Sequence, residues 1–400
     1  MRFPALLVAL LLSAPSAWTQ TEPTIRRLDG STIAARDAHT FAAKTLADAH
    51  VTGAELAVIC GGKLVWTDAF GRRREDPPLA METSTTTWAA SITKSVFATY
   101  VMQLVEKDEF DLDTPVARQL DKPLDAYEPY KETATEIVKD PEWQRVTPRM
   151  LLSHQSGLAN FSYLEPDKKM RLRFKPGTQF LYSGEGINLV QFVIEQKLHK
   201  PLDQILQEAL FVPLGMTQTG LIYREEFAAN VADRYDLNGR FRSQTKRFPA
   251  RGAGSMTTSV DDLAAFTLAL VNGKLLKPKT QKAMLSPQIK LDMLHEFPLA
   301  LNEGKSAEAE RVGLAYGVGW GLLTKTRFGP AFFKEGHGDG AQNYIICFTQ
   351  SRSCMILLTN SDNGELAFRP LLEKILGDTV TPWEWEGYTP EYIETSRKQN

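Results

Sequence analysis

Ser91 and Lys94 stand three residues apart in the run Ser91, Ile92, Thr93, Lys94, a spacing that puts both side chains on one face of a helix. A lysine amine within reach of a serine hydroxyl can take its proton once desolvation has lowered the amine's pKa, and the hydroxyl then becomes a nucleophile. The run falls where a Thr- and Ser-rich loop, Thr83 to Thr87, gives way to an apolar helical pattern. The partial positive charge of a helix start therefore faces any oxyanion that forms at Ser91. Those features describe acyl transfer through a serine ester. A second copy of the spacing, Ser243, Gln244, Thr245, Lys246, lies among Arg242, Arg247, Phe248 and Pro249 with no helical run behind it, and reads as chance.

Other chemistries find little footing. No Gly-x-Ser-x-Gly elbow occurs, and the histidines His39, His50, His154, His199, His295 and His337 include no His-Glu-x-x-His and no clustered ligand spacing. No glycine loop could cradle phosphate, so no metal, nucleotide or other cofactor is expected. The triplet Ser361, Asp362, Asn363 sits at the end of a strand-like run and reads as a surface turn. Net charge is −2 and the pI about 6.4, which offers no attraction to nucleic acid or to an acidic membrane surface.

Positioning such a site needs a scaffold. Arg36 to His50 carries apolar residues at helical spacing, and Glu55 to Cys60 and Lys63 to Thr67 read as strands joined by Gly61 and Gly62. From Ser91 a helix presents Val96, Phe97, Tyr100, Val101, Leu104 and Val105 along one side. Residues 116 to about 250 read as mostly helix and loop, with Thr147 and Pro148 opening one helix and Ser259 with Asp262 capping another. Tyr344 to Phe348 and Met355 to Thr359 read as paired strands and Glu365 to Leu376 as a closing helix. Strands thus come from both ends of the chain, which predicts an α/β (α+β) fold. An antiparallel sheet is flanked by helices, with a mostly helical insertion over roughly 95–250 and the active site in the seam.

The first residues, Met1 and Arg2, then an apolar run from Phe3 to Leu12, then Ser13 to Ala17, have the layout of a secretory signal over 1–17. Residues 18–400 are then one exported domain, periplasmic or secreted, with no membrane-spanning segment in the mature chain. Export allows a disulfide: Cys347 and Cys354 flank a polar turn and are either bonded across it or two buried thiols, while Cys60 reads as core. Beyond residue 377 an extension holds Trp383, Trp385, Tyr388 and Tyr392, which either cover an apolar patch or add to a binding surface.

Further blocks accompany Ser91 to Lys94. They are Leu104 to Glu106, Leu112 to Val116, Leu151 to Leu158, Pro176 to Ser183, and Gly336, His337, Gly338. In this order they resemble the serine β-lactamase and penicillin-binding protein superfamily, in the class C β-lactamase-like branch that includes esterases and D-amino-acid peptidases. The resemblance covers roughly residues 36 to 376 and implies a β-lactamase/transpeptidase-like fold. It makes Ser91 the nucleophile, Lys94 its activating base and Tyr182 the phenol that shuttles a proton between serine and leaving group. His337 matches the third motif, which is Lys-Thr-Gly in true β-lactamases and often His-x-Gly in the esterase-like branch. The backbone amides of Ser91 and Gly340 would form the oxyanion hole, with Ser183, Gly338 and Asp339 at the substrate.

Two departures bear on substrate. Gly184 stands where the second motif normally ends in an asparagine that holds an acylamino group, and Asp339 stands where the family usually has glycine. Strand alternation would place Asp339 on the side of His337, where a carboxylate opposes an oxyanion unless it is turned away or paired. Both favour hydrolysis of a small ester or amide over a β-lactam or a D-alanyl-D-alanine cell-wall peptide. Both also leave open a non-catalytic binding homologue.

Overall fold

The computed structural model describes residues 23–297 and 304–389; the expected leader at 1–17 and Tyr392 lie outside them. Strands β1 (Gly53–Cys60) and β2 (Lys63–Arg74) form on the apolar runs either side of Gly61 and Gly62. Those glycines take φ of 59° and 73°, as a two-residue hairpin turn with both central residues left-handed requires, and Cys60 pairs directly with Lys63.

Seven further strands complete the sheet: β3 (Leu79–Ala80), β4 (Ile289–Lys290), β5 (Leu314–Tyr316), β6 (Gly321–Leu323), β7 (Ala331–Gly338), β8 (Ala341–Phe348) and β9 (Ser353–Thr359). Their order is β4-β5-β6-β7-β8-β9-β1-β2-β3, antiparallel throughout. The last strand in the chain therefore lies beside the first, with Leu357 opposite Leu56, and both chain ends build one sheet as the pattern predicts.

Both faces of that sheet are covered, which explains why its central strands are apolar at nearly every position rather than at alternate ones. On one face Phe332, Ile345, Cys347, Ile356 and Leu358 pack with helices α2 (Ile92–Glu106), α3 (Gly184–Leu198) and α4 (Val260–Val271). On the other, Phe333, Tyr344, Ile346, Met355 and Leu357 pack with α1 (Ala35–Asp48), α5 (Glu365–Leu371) and the aromatic extension. Trp383 and Tyr388 are buried there against Tyr344, Tyr388 also against Phe368, and Trp385 against Phe333, so they cover an apolar patch. Trp385 and Tyr388 also line the cleft described below.

Thr147 Oγ1 accepts from the Met150 N–H at 3.3 Å and Ser259 Oγ from the Asp262 N–H at 3.2 Å. The second cap is no reciprocal box, because the Asp262 carboxylate accepts from the Gln218 N–H and the Thr219 hydroxyl instead. Cys347 and Cys354 face each other across β8 and β9 and are disulfide-bonded. Within 116–250 a two-stranded hairpin, Asp233–Tyr235 with Phe241–Gln244, accompanies helix and loop. One expectation needs correction. Ser361, Asp362 and Asn363 do not form a surface turn: Ser361 and Asn363 are buried, and Asn363 Nδ2 donates to the carbonyls of His50 and Leu237. The short polar triplet is held because it ties three distant segments together.

Candidate active site

Ser91 is set at the start of α2 by a strained residue. Ala90 has φ of +46°, a left-handed conformation uncommon for a side chain with a Cβ, and is buried. The Ser91 N–H that results donates no hydrogen bond among the described residues. One helical turn on, Lys94 Nζ lies 2.8 Å from Ser91 Oγ and 2.5 Å from the Ala253 carbonyl oxygen. Lys94 is 2% exposed. Burial, then repulsion from Lys334, pushes its pKa well below the ordinary lysine value, only partly offset by Glu296. A pKa lowered this way favours the neutral amine, whose lone pair can take the serine proton.

Tyr182 closes the other side. Its ring lies under Lys94 Nζ at 4.8 Å from the centroid, and its phenol interacts with the Ser91 hydroxyl. Burial, then Tyr316 and Glu296, raises its pKa well above the usual phenol value, so the phenol keeps its proton rather than resting as phenolate. His154 stacks on this ring at 4.4 Å, and its Nδ1 accepts from the Ser183 N–H at 3.2 Å. Burial, then Lys334 and Lys94, holds that imidazole neutral, and it braces the tyrosine without adding charge.

Ser183 itself does not meet substrate. It is fully buried, caps α3 by accepting from the Gly186 N–H at 3.0 Å, and donates to the Ala159 carbonyl at 2.8 Å. At Gly184 a Cβ would overlap the Phe161 ring, and its N–H donates to Asn160 Oδ1 at 2.9 Å. The missing asparagine therefore has no room in this chain.

The tip of β7 carries the largest revision. Lys334, fully buried, donates to Tyr182 OH at 3.2 Å, pairs with Glu335, and lies 4.8 Å over the Tyr182 ring. Lys334, Glu335, Gly336 is a Lys-x-Gly run, and it takes the place beside the nucleophile that was assigned to His337. The signal was in the sequence, directly ahead of His337. Burial lowers the pKa of Lys334 to about 8, with Glu296 and Glu386 pulling the other way. The His337 side chain points across the cleft instead and meets Glu365 at 2.5 Å. Desolvation opposes its charge, but Glu365 prevails and raises its pKa to about 9.

Three more residues of this segment are corrected. The Gly340 N–H donates to Asp362 Oδ1 at 2.5 Å, so it is not available to an oxyanion. Asp339 lies in the turn beyond β7, where alternation no longer holds; it is exposed and pairs with Arg242 at 3.0 Å. Gly338 packs against the Trp88 ring, which a Cβ there would overlap. The register supplies a different donor. Gly338 and Ala341 close a two-residue turn, so the ladder bonds of this hairpin fall at Gly338, Gly336 and Lys334. The amides of His337 and Glu335 then face the opposite edge, which β6 leaves open beyond Phe333. Gly336 approaches the Ala89 carbonyl oxygen so closely that a Cβ would overlap it, and this contact sets the tip of β7 against the backbone two residues ahead of Ser91.

Ser91, Lys94, Tyr182, Glu296, His337 and Trp385 line one open cleft of ≈ 1470 Å³. Among the described residues no helix is long and apolar enough to cross a membrane.

The Beta-lactamase family model matches residues 38–376. Penicillin-binding protein 4 of Amycolatopsis lactamdurans is 25% identical over 351 residues, 82% of this chain and 86% of that protein. Esterase EstB of Burkholderia gladioli is 26% identical over 230 residues, 51% of this chain and 55% of the esterase. The chain spans 53 to 58% of the length of several curated relatives. Among solved structures, the D-amino acid amidase of Ochrobactrum anthropi SV3 superposes with a TM-score of 0.64 at 23% identity, covering 90% of this chain and 99% of the amidase. That likeness shows the β-lactamase/transpeptidase fold.

Proposed function

Since the chain belongs to the β-lactamase family across residues 38–376, we propose that it is a serine hydrolase that acylates Ser91 with a small ester or amide and releases the acyl group to water. The observation that carries this reading is a chain of contacts from Lys94, with its lowered pKa, to Ser91, from Ser91 to Tyr182 and from Tyr182 to Lys334. In the first step Lys94 Nζ takes the Ser91 proton while Oγ bonds to the carbonyl carbon. The oxyanion that forms is held by the N–H groups of Ser91 and His337. Collapse breaks the bond to the leaving oxygen or nitrogen, which receives a proton from Tyr182, and Lys94 returns the proton to the phenol. Water then repeats the sequence on the acyl-enzyme. Lys334 remains cationic through this cycle and stabilises the negative charge that builds near the phenol.

The non-catalytic alternative loses its support, because Asp339 is turned toward Arg242 rather than toward the oxyanion. Cleavage of an amide gains some, since Lys334 supplies the third-motif lysine that the His337 assignment left missing, and Asn160 and Asn188 both line the cleft. The bonded Cys347 and Cys354 and the leader expected at 1–17 support a periplasmic or secreted location.

Hydrolysis of p-nitrophenyl butyrate and of a chromogenic cephalosporin by the purified protein, beside Ser91→Ala, tests the reading. Ester turnover that disappears with Ser91→Ala is expected, with the cephalosporin cleaved slowly or not at all. Full activity in Ser91→Ala would remove Ser91 as the nucleophile.

A further inference from the structure

Three carboxylates are buried at the end of the cleft next to Tyr182: Glu296 at 1% exposure, Glu335 at 2% and Glu386 at 5%. One oxygen of each lies within 4.8 Å of the others. Glu335 is taken by Lys334, and one oxygen of Glu386 accepts from Tyr344 OH at 2.8 Å. That leaves both oxygens of Glu296 and Oε2 of Glu386 without a hydrogen-bond partner among the described residues. Buried carboxylate oxygens are ordinarily satisfied, and an unmet group of this kind points to something that arrives from outside.

The cations nearby leave these acids short of charge balance. Lys334 pairs with Glu335 and His337 with Glu365. Although Lys334, Lys94 and His337 favour an ionised Glu296, burial keeps its pKa raised, and burial and Glu296 keep that of Glu386 well raised, so an arriving cation would complete the neutralisation. The three unmet oxygens match in number the three N–H donors of a primary ammonium. They also sit beside the reacting centre: the Glu296 N–H donates to the Trp385 carbonyl at 3.0 Å, and the neighbouring Phe297 ring packs 5.0 Å from that of Tyr182.

We propose that Glu296 and Glu386 form a subsite for a primary ammonium group, so that the preferred ester or amide carries a free amine close to the scissile carbonyl. This rests on the serine hydrolase reading for its consequence in turnover, but the subsite itself can be read by binding alone.

Calorimetric titration of the Ser91→Ala protein with alaninamide and with N-acetylalaninamide provides that reading. The free amine is expected to bind about tenfold more tightly than its acetylated counterpart, the difference of one charge-assisted contact set. Glu296→Gln, added to Ser91→Ala, should reduce that ratio to below about threefold. Equal affinity for the two ligands overturns the proposal, as does a ratio that survives Glu296→Gln. Displacement of bound alaninamide by micromolar manganese would assign the carboxylates to a metal instead and also overturn it. Should Glu296→Gln fail to fold, the ratio in Ser91→Ala and in its Glu386→Gln derivative decides. Loss of Ser91-dependent ester hydrolysis would defeat the functional reading and leave this binding result standing, so the two failures are distinct.

Discussion

Gly336→Ala is the perturbation that bears most closely on how the site is assembled. A Cβ at this position would sit inside the 3.0 Å that real Cβ atoms essentially never breach, against a backbone oxygen of Ala89 that cannot swing aside. To regain the 3.4 Å of ordinary contact the β7 tip must retreat by about 1 Å, which is enough to spoil a reacting geometry. The His337 N–H moves with it, and a donor at about 2.9 Å from the oxyanion becomes one at about 4 Å, which is no hydrogen bond. Removing one such donor costs about 10²–10³ in kcat, or about 3–4 kcal/mol. The assay is steady-state hydrolysis of p-nitrophenyl butyrate, with the thermal midpoint measured alongside, because overpacking alone removes about 1–3 kcal/mol of stability. A folded Gly336→Ala protein with kcat within about threefold of wild type would refute the assignment of His337 N–H and the packing argument behind it.

The pH profile of kcat/KM should fall on its alkaline side with an apparent pKa of about 8, where Lys334 loses its proton, and Lys334→Met should abolish that limb while lowering the rate; an unchanged limb in the variant assigns it elsewhere. The acid side should rise as Lys94 becomes neutral, at a pH below the ordinary lysine range. For His337, NMR titration should give a pKa of about 9 that drops toward 6.5 in Glu365→Gln. The folded value lies above the unfolded one, so what the His337–Glu365 pair contributes to stability is whole below about pH 6.5 and is lost as pH rises through about 9. That contribution is small, because the imidazole is 58% exposed. Ser183→Ala should lower stability by about 1–3 kcal/mol through loss of the cap and an unsatisfied Ala159 carbonyl; a changed KM with unchanged melting would restore Ser183 to the substrate.

How much of this was legible from the chain differs element by element. Strands β1, β2, β8 and β9 were readable because they are short apolar runs with turn signals between them, and the two-glycine turn at Gly61 and Gly62 set one register. By contrast, β3 to β6 are only two or three residues long and carry too little pattern to be read. Ser91 and Lys94 were readable because their contact is local, one helical turn. Tyr182 and the third motif needed the family pattern, and there the reading slipped: His337 was matched by residue type, whereas the hairpin turn places Lys334 at Tyr182. Single-sequence reasoning cannot see where a hairpin turns when Gly338, Asp339 and Gly340 all favour turns. The Gly340 amide was lost to Asp362, 22 residues away, and Ser183 to a helix cap, both tertiary outcomes. Glu296 and Glu386 carried no motif; only folding brings Glu386 in the C-terminal extension beside Glu296 and β7.

The central claim is a covalent acyl-enzyme at Ser91. Intact-protein mass spectrometry after rapid acid quench with p-nitrophenyl butyrate should show one added butyryl group, mapped by peptide sequencing to Ser91 and absent from Ser91→Ala. Turnover of the ester with no adduct on Ser91, or the same adduct in Ser91→Ala, would contradict it.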